Sequence, residues 1–272
     1  MNSADRWGDL PLRAASAAVL VPVALGCIWA GGAWFPGLVL ILSLGLAYEW
    51  LSVCGWRLTP LVMAVFAAVP IGVLAVSGGS TLAAGLILLA GSLAAFGMTG
   101  GGMAGRRSWL APLGVPYLGL AAVSLVWLRA DPVAGRTDVI VLLLIVWASD
   151  IGAYVVGRAV GGPKLAPVIS PGKTVSGAVG GLLGAMLVGL AAGWLESGPM
   201  GRAILVSGAT GCVAQAGDLF ESWLKRRFGV KDSGKLIPGH GGVLDRLDAL
   251  LSAAPFAALL AFLLGRGVVI WQ

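Results

Sequence analysis

Charged side chains are scarce in this chain of 272 residues. Asp, Glu, Lys and Arg make up 11% of it, hydrophobic residues make up 58%, and the mean hydropathy is +0.94. A soluble domain carries about 25% charged residues, so this composition could not cover the apolar surface of a soluble protein of the same length. The scarcity of charge excludes the soluble classes and predicts an integral membrane protein.

Cysteine is also rare. Cys27, Cys54 and Cys212 lie within or beside apolar stretches and lack the spacing of metal ligands, so they are interpreted as small hydrophobic residues rather than as a disulfide framework. The 43 glycines show no Gly-X-Y period, which excludes a collagen-like chain but suits closely packed transmembrane helices. The net charge of +6 is attributed to loops that face anionic lipid, and no nucleic-acid partner is predicted.

Nine apolar stretches are long enough to form transmembrane helices, since a helix needs about 20 mainly apolar residues to cross the hydrocarbon core. They predict an all-α, polytopic membrane protein with spans at 12–30, 35–53, 59–77, 80–98, 109–129, 138–158, 174–195, 202–221 and 246–265. Basic residues make the first stretch similar to a secretory signal. Because eight further stretches follow it, an uncleaved helix is expected.

The basic residues predict the orientation in the membrane. If all nine stretches cross, one face holds Arg129, Arg136, Arg202 and Arg266, and the other holds the remaining 14 of the 18 Lys and Arg residues. Cytoplasmic loops carry the excess of Lys and Arg, so the N-terminus and both long polar loops are expected in the cytoplasm. The basic residues expected on that side are Arg6, Arg13, Arg57, Arg106, Arg107, Arg158, Lys164, Lys173, Lys225, Arg226, Arg227, Lys231, Lys235 and Arg246.

Polar chemistry is concentrated in the second half of the chain. The first five stretches contain few polar groups, whereas polar and charged residues mark the helix ends from residue 148 onward. We expect a single membrane-embedded domain over residues 1–272, in which 1–137 form mainly packing helices and 138–265 form the catalytic half. The sequence shows no clear internal repeat of the kind found in many transporters.

Asp150 is the first candidate site residue. It lies inside a predicted span, where an ionised carboxylate is costly unless it is paired. It is interpreted as part of a metal or proton site, the alternative being a packing residue that is paired inside the membrane.

The second candidate is the loop 161–176. Ser170, Lys173 and Thr174 lead directly into a predicted helix, whose N-terminal N–H groups and dipole suit phosphate. The loop resembles part of a Walker loop, but residue 167 is Pro where that loop needs glycine, and no parallel strand is expected before it. A Walker loop is therefore rejected, and a phosphate-contacting loop stays open.

Closely spaced acids mark the end of the eighth stretch. Asp218 and Glu221 are three residues apart, so both carboxylates project from one helix face, and Lys225 continues that face one turn later. Gly217 leaves room for a close approach beside Asp218. Alternatively, the two acids balance the basic loop that follows.

The loop before the ninth stretch carries the single histidine of the sequence. His240 follows Gly239 and precedes two further glycines, so the backbone there can bend tightly and approach a ligand. Asp245 and Asp248, with Arg246 between them, lie on one face at the start of the next helix.

Together these residues predict a metal-dependent transferase. Asp218 and Asp245, at two helix ends, are expected to meet at the cytoplasmic interface as an oxygen-rich Mg²⁺ site. Basic residues around it suit several phosphate groups: Lys173, Lys225, Arg226, Lys231, Lys235 and Arg246. Metal ions neutralise the charge that develops on phosphate, while Lys and Arg hold a leaving pyrophosphate. The second substrate is expected to arrive through the bilayer.

Residues 222–248 closely resemble the signature of the phosphatidate cytidylyltransferases, also called CDP-diacylglycerol synthases. Ser222, Lys231, Asp232, His240 and Arg246 are among the residues that carry the resemblance. The segments 149–158, 170–177 and 217–222 look like further motifs of that family. The resemblance therefore covers roughly residues 147–248, and the earlier helices match in general hydrophobicity.

The resemblance implies that CMP is transferred from CTP to phosphatidic acid, giving CDP-diacylglycerol and pyrophosphate, with Mg²⁺ required and a second metal or monovalent ion left open. It implies that Asp218 and Asp245 carry the metal, and it assigns phosphate binding to Ser170, Lys173, Thr174, Lys225 and Arg226. Further polar site residues are Asp150, Lys231, Asp232, Lys235, His240, Arg246 and Asp248. Lys225, Asp150 and His240 are counted as catalytic candidates with the two acids, His240 as a phosphate contact rather than as an obligatory base.

This sequence departs from the family pattern at three positions. Many members have Lys where Gly172 stands, Glu where Ser176 stands and Thr where Ile151 stands. These differences leave the phosphate contacts of the 161–176 loop open, and they do not touch the two acids.

Rival functions stay open on the sequence. One is a membrane kinase or transferase that uses CTP on another lipid; the motif of the CDP-alcohol phosphotransferases is missing. Another is an ion-coupled transporter, which would place its acids near the middle of the membrane. The expected partners are CTP, phosphatidic acid and the lipid bilayer, in a bacterial inner membrane, and a homodimer is compatible with the sequence.

Overall fold

The computed structural model describes residues 10–100 and 108–272, and the side chains of 15–99 and 110–272. Arg6, Arg106 and Arg107, which the sequence predicts on the cytoplasmic side, lie outside the described residues, as does the side chain of Arg13.

The described residues are overwhelmingly helical. They form ten α-helices, two short 3₁₀ helices and two strands. The helices are α1 (Leu10–Ala30), α2 (Trp34–Val53), α3 (Pro60–Phe66), α4 (Ala68–Ser77), α5 (Thr81–Gly97), α6 (Gly114–Arg129), α7 (Gly135–Val160), α8 (Val175–Leu195), α9 (Met200–Phe228) and α10 (Leu244–Leu264). The 3₁₀ helices are Met98–Gly100 and Ser108–Leu113, and the strands are β1 (Lys164–Ala166) and β2 (Ser170–Thr174).

Seven helical segments among the described residues have the length and apolar composition of membrane spans: Trp34–Val53, Pro60–Ser77, Leu110–Arg129, Gly135–Val160, Val175–Leu195, Met200–Phe228 and Leu244–Leu264. Ala15–Ala30 and Thr81–Gly97 are apolar helices shorter than this. The prediction of a helical, polytopic membrane protein is confirmed. The count of nine spans and the cytoplasmic N-terminus stay predictions.

Helix boundaries in the first half follow local capping residues. The Thr59 side chain accepts a hydrogen bond from the Val62 N–H at the start of α3, and Pro60 occupies the first turn, where its missing N–H costs nothing. Ser80 caps α5 in the same way through Ala83. These caps explain why the predicted and observed helix ends differ by so little.

The segment expected to be a loop contains a β-hairpin. β1 and β2 pair antiparallel, with Lys164 opposite Thr174 and Ala166 opposite Ser170. The expectation of a loop was wrong here, because strands of three and five residues are too short to give a clear two-residue alternation. The absence of a parallel strand before Lys173, which argued against a Walker loop, agrees with this antiparallel pairing.

The chain divides into two compact units. The first comprises Met1–Gly119 and Phe228–Leu247, and the second comprises Leu120–Arg227 and Asp248–Gln272. The segment Phe228–Leu247, which carries much of the predicted motif, therefore groups with the N-terminal helices. The prediction of a single domain with a packing half and a catalytic half concerns how the units combine, and it stays a prediction.

Two acids hold the final residues of the second unit. The Asp138 carboxylate accepts a hydrogen bond from the Ile270 N–H at 2.9 Å, and the Asp138 carbonyl accepts one from the Trp271 indole at 3.1 Å. Asp131 accepts from the Gly267 N–H at 2.8 Å and pairs with Arg266. Because Ile270 and Trp271 are fully buried, these bonds fix an apolar segment against α7.

Candidate active site

A cavity of about 590 Å³ lies in the second unit, among α7, the hairpin, the first turn of α8 and α9. Four residues that the sequence singled out in three separate segments line it: Asp150, Lys173, Thr174 and Asp218. Its other lining residues are mainly apolar or small: Ala153, Tyr154, Gly157, Arg158, Leu165, Gly172, Gly177, Ala178, Gln215 and Leu219. The wall therefore combines a charged patch with an apolar surface.

Glycines bring α7 and α8 close together beside the cavity. A Cβ on Gly152 would lie 2.5 Å from the Gly180 carbonyl oxygen, and one on Gly157 would lie 3.2 Å from the Gly177 Cα. No larger residue fits at these positions without moving a backbone, as at other small-residue contacts between membrane helices. This close contact carries Asp150, on α7, toward the start of α8.

Thr174 caps α8. Its buried hydroxyl accepts a hydrogen bond from the Gly177 N–H at 3.0 Å, which satisfies one of the free donors of the first turn. Ser176 donates to the Gly161 carbonyl and lies 3.1 Å from the Thr174 hydroxyl. Thr174 therefore sets where α8 begins, a role that the sequence reading did not assign to it.

Asp218 and Lys173 form an ion pair across the cavity wall, one from α9 and the other from β2. Both side chains are about one-quarter exposed, at 26% and 29%. The Ser222 hydroxyl lies 3.5 Å from the Asp218 carboxylate, one turn further along α9. Lys173 thus reaches the predicted metal ligand directly.

Two further acids, Asp150 and Asp248, lie in the electrostatic field of this pair, and Asp248 also interacts with Glu221. Asp150 interacts with both Asp218 and Lys173, and Asp248 interacts with Asp218, Asp150 and Glu221. Glu221 is fully buried and pairs with Lys225 at 2.7 Å. A group of four carboxylates requires compensating positive charge. Lys173 and Lys225 supply part of it through their ion pairs with Asp218 and Glu221.

Gly217 allows α9 and α10 to touch beside Asp218. A Cβ at this position would lie 2.6 Å from the Ser252 hydroxyl oxygen and 3.0 Å from the Asp248 carbonyl oxygen. The predicted close approach beside Asp218 is confirmed. It brings Asp248 toward Asp218, and the Asp248 carboxylate accepts a hydrogen bond from the Ala249 N–H at 2.8 Å.

Two polar residues of α9 tie the surrounding elements to it. Gln215 donates to the Ser149 hydroxyl and the Ala178 carbonyl, both at 3.2 Å, and so links α9 to α7 and α8. The exposed Arg226 donates to the Ile169 carbonyl at 3.3 Å and so anchors the hairpin turn. Sequence reasoning gave Gln215 no role, although a polar residue inside an apolar span is a signal for one.

The histidine loop belongs to the first unit. Gly239 and Gly241 adopt positive φ angles of 74° and 86°, as the predicted tight bend requires. His240 Nδ1 lies 2.8 Å from the Ser16 hydroxyl, and its carbonyl accepts a hydrogen bond from the Arg246 guanidinium at 3.0 Å. Lys231, Asp232 and Lys235 are exposed in the same loop.

Asp245 organises this loop. Its carboxylate accepts hydrogen bonds from the Ser233 N–H and hydroxyl, both at 2.9 Å, and from the Gly242 N–H at 3.1 Å. Asp218 belongs to the second unit and Asp245 to the first. Their joint metal site therefore stays a prediction.

Sequence reasoning missed Glu49. This acid lies in α2 and is fully buried, and it accepts hydrogen bonds from Ser233 and from the Leu244 N–H. The signal was present, because an ionisable residue within an apolar span is a functional candidate by default. From the sequence, Glu49 is given no role because the first five stretches are assigned mainly to packing.

The donor chemistry of the second unit suits Mg²⁺. Asp150, Asp218 and Asp248 offer the hard oxygen ligands that this ion prefers. No three Asp, Glu, His or Cys side chains in the described part of the chain are arranged as a complete ligand set. Mg²⁺ is usually held by one or two carboxylates together with substrate phosphates, so an acidic patch beside a cavity and a lysine fits an ion that is shared with a nucleotide.

The sequence matches a known protein family over most of its length. The family model described as "Cytidylyltransferase family" matches residues 11–264. The chain belongs to this family. The resemblance inferred from residues 147–248 is thereby confirmed, and the cytidylyltransferase match extends through the early helices, which the sequence reading related to the family by hydrophobicity alone.

Three relatives of this cytidylyltransferase family member are each named phosphatidate cytidylyltransferase. A relative from Brucella suis biovar 1 (strain 1330) is 40% identical over 257 residues, covering 90% of this chain and 91% of the relative. One from Haemophilus influenzae is 41% identical over 155 residues, or 54% of each chain. One from Staphylococcus saprophyticus is 39% identical over 157 residues, covering 54% of this chain and 56% of the relative.

Proposed function

We propose that this chain transfers CMP from CTP to phosphatidic acid, giving CDP-diacylglycerol and pyrophosphate. The observation that carries the proposal is the ion pair of Lys173 with Asp218 at the wall of an otherwise largely apolar cavity. A charged patch beside an apolar wall suits a substrate with a phosphate headgroup and acyl chains. The names of the relatives point to the same substrate.

The reaction needs positioning and charge compensation more than proton transfer. A phosphate oxygen of phosphatidic acid attacks the α-phosphorus of CTP, the bond to the bridging oxygen of the β-phosphate breaks, and pyrophosphate leaves. In this proposal Lys173 neutralises phosphate charge next to Asp218, and Thr174 and Gly177 keep the start of α8 in place. Arg226 holds the hairpin, and Lys173 with it, through Ile169.

Asp218 is the proposed Mg²⁺ ligand, with Asp150 and Asp248 close enough to share its electrostatic field. When bound, the ion would neutralise phosphate oxygens as negative charge shifts toward the leaving pyrophosphate. Asp245 stays the predicted second ligand. The pairing of Lys225 with Glu221 limits the charge repulsion around Asp218.

For location, we propose a bacterial inner membrane protein with the cavity open to the cytoplasm. The apolar spans make it a multi-pass membrane protein, and the relatives come from bacteria. The excess of Lys and Arg on the side that carries Lys173 and Arg226 supports the orientation. Cysteine labelling tests it: a cysteine replacing the exposed Lys231 should react with an impermeant thiol reagent in inverted vesicles but not in intact cells.

A labelled-nucleotide assay tests the reaction. The protein, purified in detergent or nanodiscs, is incubated with phosphatidic acid, Mg²⁺ and CTP labelled at either the α- or the γ-phosphate. Cytidylyl transfer puts the α-label into lipid and releases the γ-label as pyrophosphate, whereas a lipid kinase puts the γ-label into lipid. Failure of both labels to enter lipid would refute a transferase and favour the transporter alternative.

A further inference from the structure

Glu49 connects an early helix to the motif-bearing loop of the first unit. Its side chain is 0% exposed. Glu49 Oε2 accepts a hydrogen bond from the Leu244 N–H at 2.8 Å and lies 3.2 Å from the Ser233 hydroxyl oxygen, which has a single proton to donate to Glu49 or to Asp245. Leu244 is the first residue of α10, so the Glu49 carboxylate caps this helix from a distant part of the chain.

The loop is shaped around this carboxylate. A Cβ on Gly234 would overlap Glu49 Oε1, and a Cβ on Gly242 would overlap the Ser233 hydroxyl and lie 2.7 Å from Glu49 Oε2. Side chains at these two positions would displace the acid. The two glycines are therefore explained by Glu49 rather than by backbone angles, since neither has a positive φ.

Ser233 links Glu49 to Asp245. The Ser233 hydroxyl oxygen lies 3.2 Å from Glu49 Oε2 and 2.9 Å from Asp245 Oδ2. The Asp245 carboxylate also accepts hydrogen bonds from the N–H groups of Ser233 and Gly242. Both of these residues lie beside Glu49. The position of Asp245 thus depends on a loop that Glu49 holds from the other side.

The structure retains Glu49 at a cost. Glu49 Oε1 is buried and has no hydrogen-bond partner within residues 10–100 and 108–272. An unsatisfied buried polar atom typically costs about 1–3 kcal/mol. An apolar residue of similar size would avoid this cost but would leave the Leu244 N–H without its acceptor, while the Ser233 hydroxyl would keep Asp245 as its only acceptor of the two.

We propose that Glu49 is a positioning residue that sets the place of the Asp245 carboxylate through Ser233 and the start of α10. This inference rests on the proposed function, in which Asp245 is a reaction-centre residue. It assigns a part in catalysis to a helix that the sequence suggested was for packing. Misplacing a reacting group by about 1 Å can cost on the order of a hundredfold in rate.

Three substitutions at Glu49 distinguish the effect of side-chain length from the effect of charge. Glu49→Gln keeps the length of the side chain and one acceptor oxygen but removes the charge, whereas Glu49→Asp keeps the charge and draws it back by one methylene. Glu49→Ala removes both. We expect Gln to stay within about tenfold of wild-type kcat, and Asp and Ala to lose about a hundredfold. A higher kcat for Glu49→Gln than for Glu49→Asp would show that the position of the acceptor oxygen matters more than its charge.

The matched control is Glu196→Gln, which changes an exposed acid at the end of α8. We expect it to leave kcat, KM and the melting temperature at wild-type values. Peptide hydrogen–deuterium exchange provides a readout that does not depend on turnover. Glu49→Ala should speed exchange over residues 231–247 and leave α9 unchanged, while Glu49→Gln should resemble wild type.

Several results would overturn the proposal. Equal or greater activity of Glu49→Asp than of Glu49→Gln would mean that charge, not position, matters. Wild-type kcat in the folded fraction of Glu49→Ala, with a lowered melting temperature, would reduce Glu49 to a packing role, and unchanged exchange over 231–247 would remove the link to Asp245. If the wild type forms no CDP-diacylglycerol, the proposed function fails, while the exchange comparison still decides whether Glu49 holds the loop.

Discussion

The Lys173 ammonium pairs with the Asp218 carboxylate at the wall of the cavity, although 45 positions separate them in the sequence. The hairpin delivers the lysine, and Arg226 fastens the hairpin turn to the helix that carries Asp218. A cation is therefore held beside the acid by the fold itself. This arrangement keeps an acidic patch stable before any substrate arrives.

Replacing Lys173 should impair the use of CTP far more than folding. We expect Lys173→Met to lower kcat/KM for CTP by about a hundredfold or more, the usual cost of removing one charge-stabilising donor, and Lys173→Arg to recover part of it. Steady-state kinetics with varied CTP measures this. Lys164→Met, which removes an exposed lysine from the other strand of the same hairpin, should stay near wild type. Equal losses in both variants would show that hairpin stability, not the Lys173 charge, is responsible.

Substituting the two predicted metal ligands should change the Mg²⁺ requirement. Asp218→Asn should insert and purify normally but lose about a thousandfold or more in turnover, because a neutral amide is a poor Mg²⁺ ligand. Asp245→Asn should raise the Mg²⁺ concentration that gives half-maximal activity. Mg²⁺ titrations of the two variants and the wild type, started from chelator-treated protein, provide the measurement. Full activity of Asp218→Asn would disprove the metal assignment. If Asp245→Asn needs the same Mg²⁺ concentration for half-maximal activity as the wild type, Asp245 is not a metal ligand and its role is limited to the hydrogen bonds that organise the loop.

A single added methyl at Gly217 should separate α9 from α10. The new Cβ would lie 2.7 Å from the Ser252 Cβ, so we expect Gly217→Ala to destabilise the protein by about 1–3 kcal/mol and to lower turnover by moving Asp218 relative to Asp248. Thermal unfolding in detergent and the lipid-labelling assay measure the two effects. The control is Gly201→Ala, a substitution on the same helix. A methyl group added at Gly201 would have no neighbouring atom within 4 Å. A melting temperature for Gly217→Ala as high as that of the control would show that the contact is not tight.

The helices of this protein were predictable because lipid requires them. Apolar stretches of about 20 residues have few alternatives in a bilayer, and residues such as Thr59 and Ser80 mark the ends by capping. Some of the residues that line the cavity were also singled out by the sequence, since Asp150, Lys173 and Asp218 are polar residues at or near the ends of apolar spans. At each of these three positions, a polar residue in or beside an apolar span indicates a functional role.

The arrangement of these residues was much harder to predict. The pairing of Lys173 with Asp218 depends on a hairpin whose strands are too short to give a pattern. The contacts of Glu49 with Ser233 and Leu244 join positions that are 184 and 195 residues apart, and no local pattern encodes such a pairing. One sequence shows that a buried acid needs partners but does not show which residues they are.

Asp131 should make stability depend on pH through its folded environment. It lies in the turn between α6 and α7, where Val133 and Ala134 donate backbone hydrogen bonds to it at 2.9 Å. Burial acts to raise its pKa, but three backbone N–H groups and the Arg266 guanidinium outweigh it, so the pKa of Asp131 lies below its ordinary value. A lowered folded pKa means that the ionised form stabilises the folded state above the unfolded pKa of about 4, and that this stabilisation is lost as pH falls through the folded pKa.

Asp131→Asn tests this dependence. An amide can still accept from Val133 and Ala134, but it cannot pair with Arg266, and its NH₂ would face the Gly267 N–H. We therefore expect the variant to melt below wild type between about pH 5 and 8, and the gap to narrow as pH falls below about 4, because the unfolded chain is protonated there while the folded carboxylate is still ionised. The contribution of the charge is lost once pH falls below the lowered pKa of the folded state. Thermal unfolding across this range measures the gap, with Glu196→Gln as an exposed control. A gap that stays constant down to the lowest pH would show that the charge of Asp131 contributes nothing, and that its hydrogen bonds alone hold the turn.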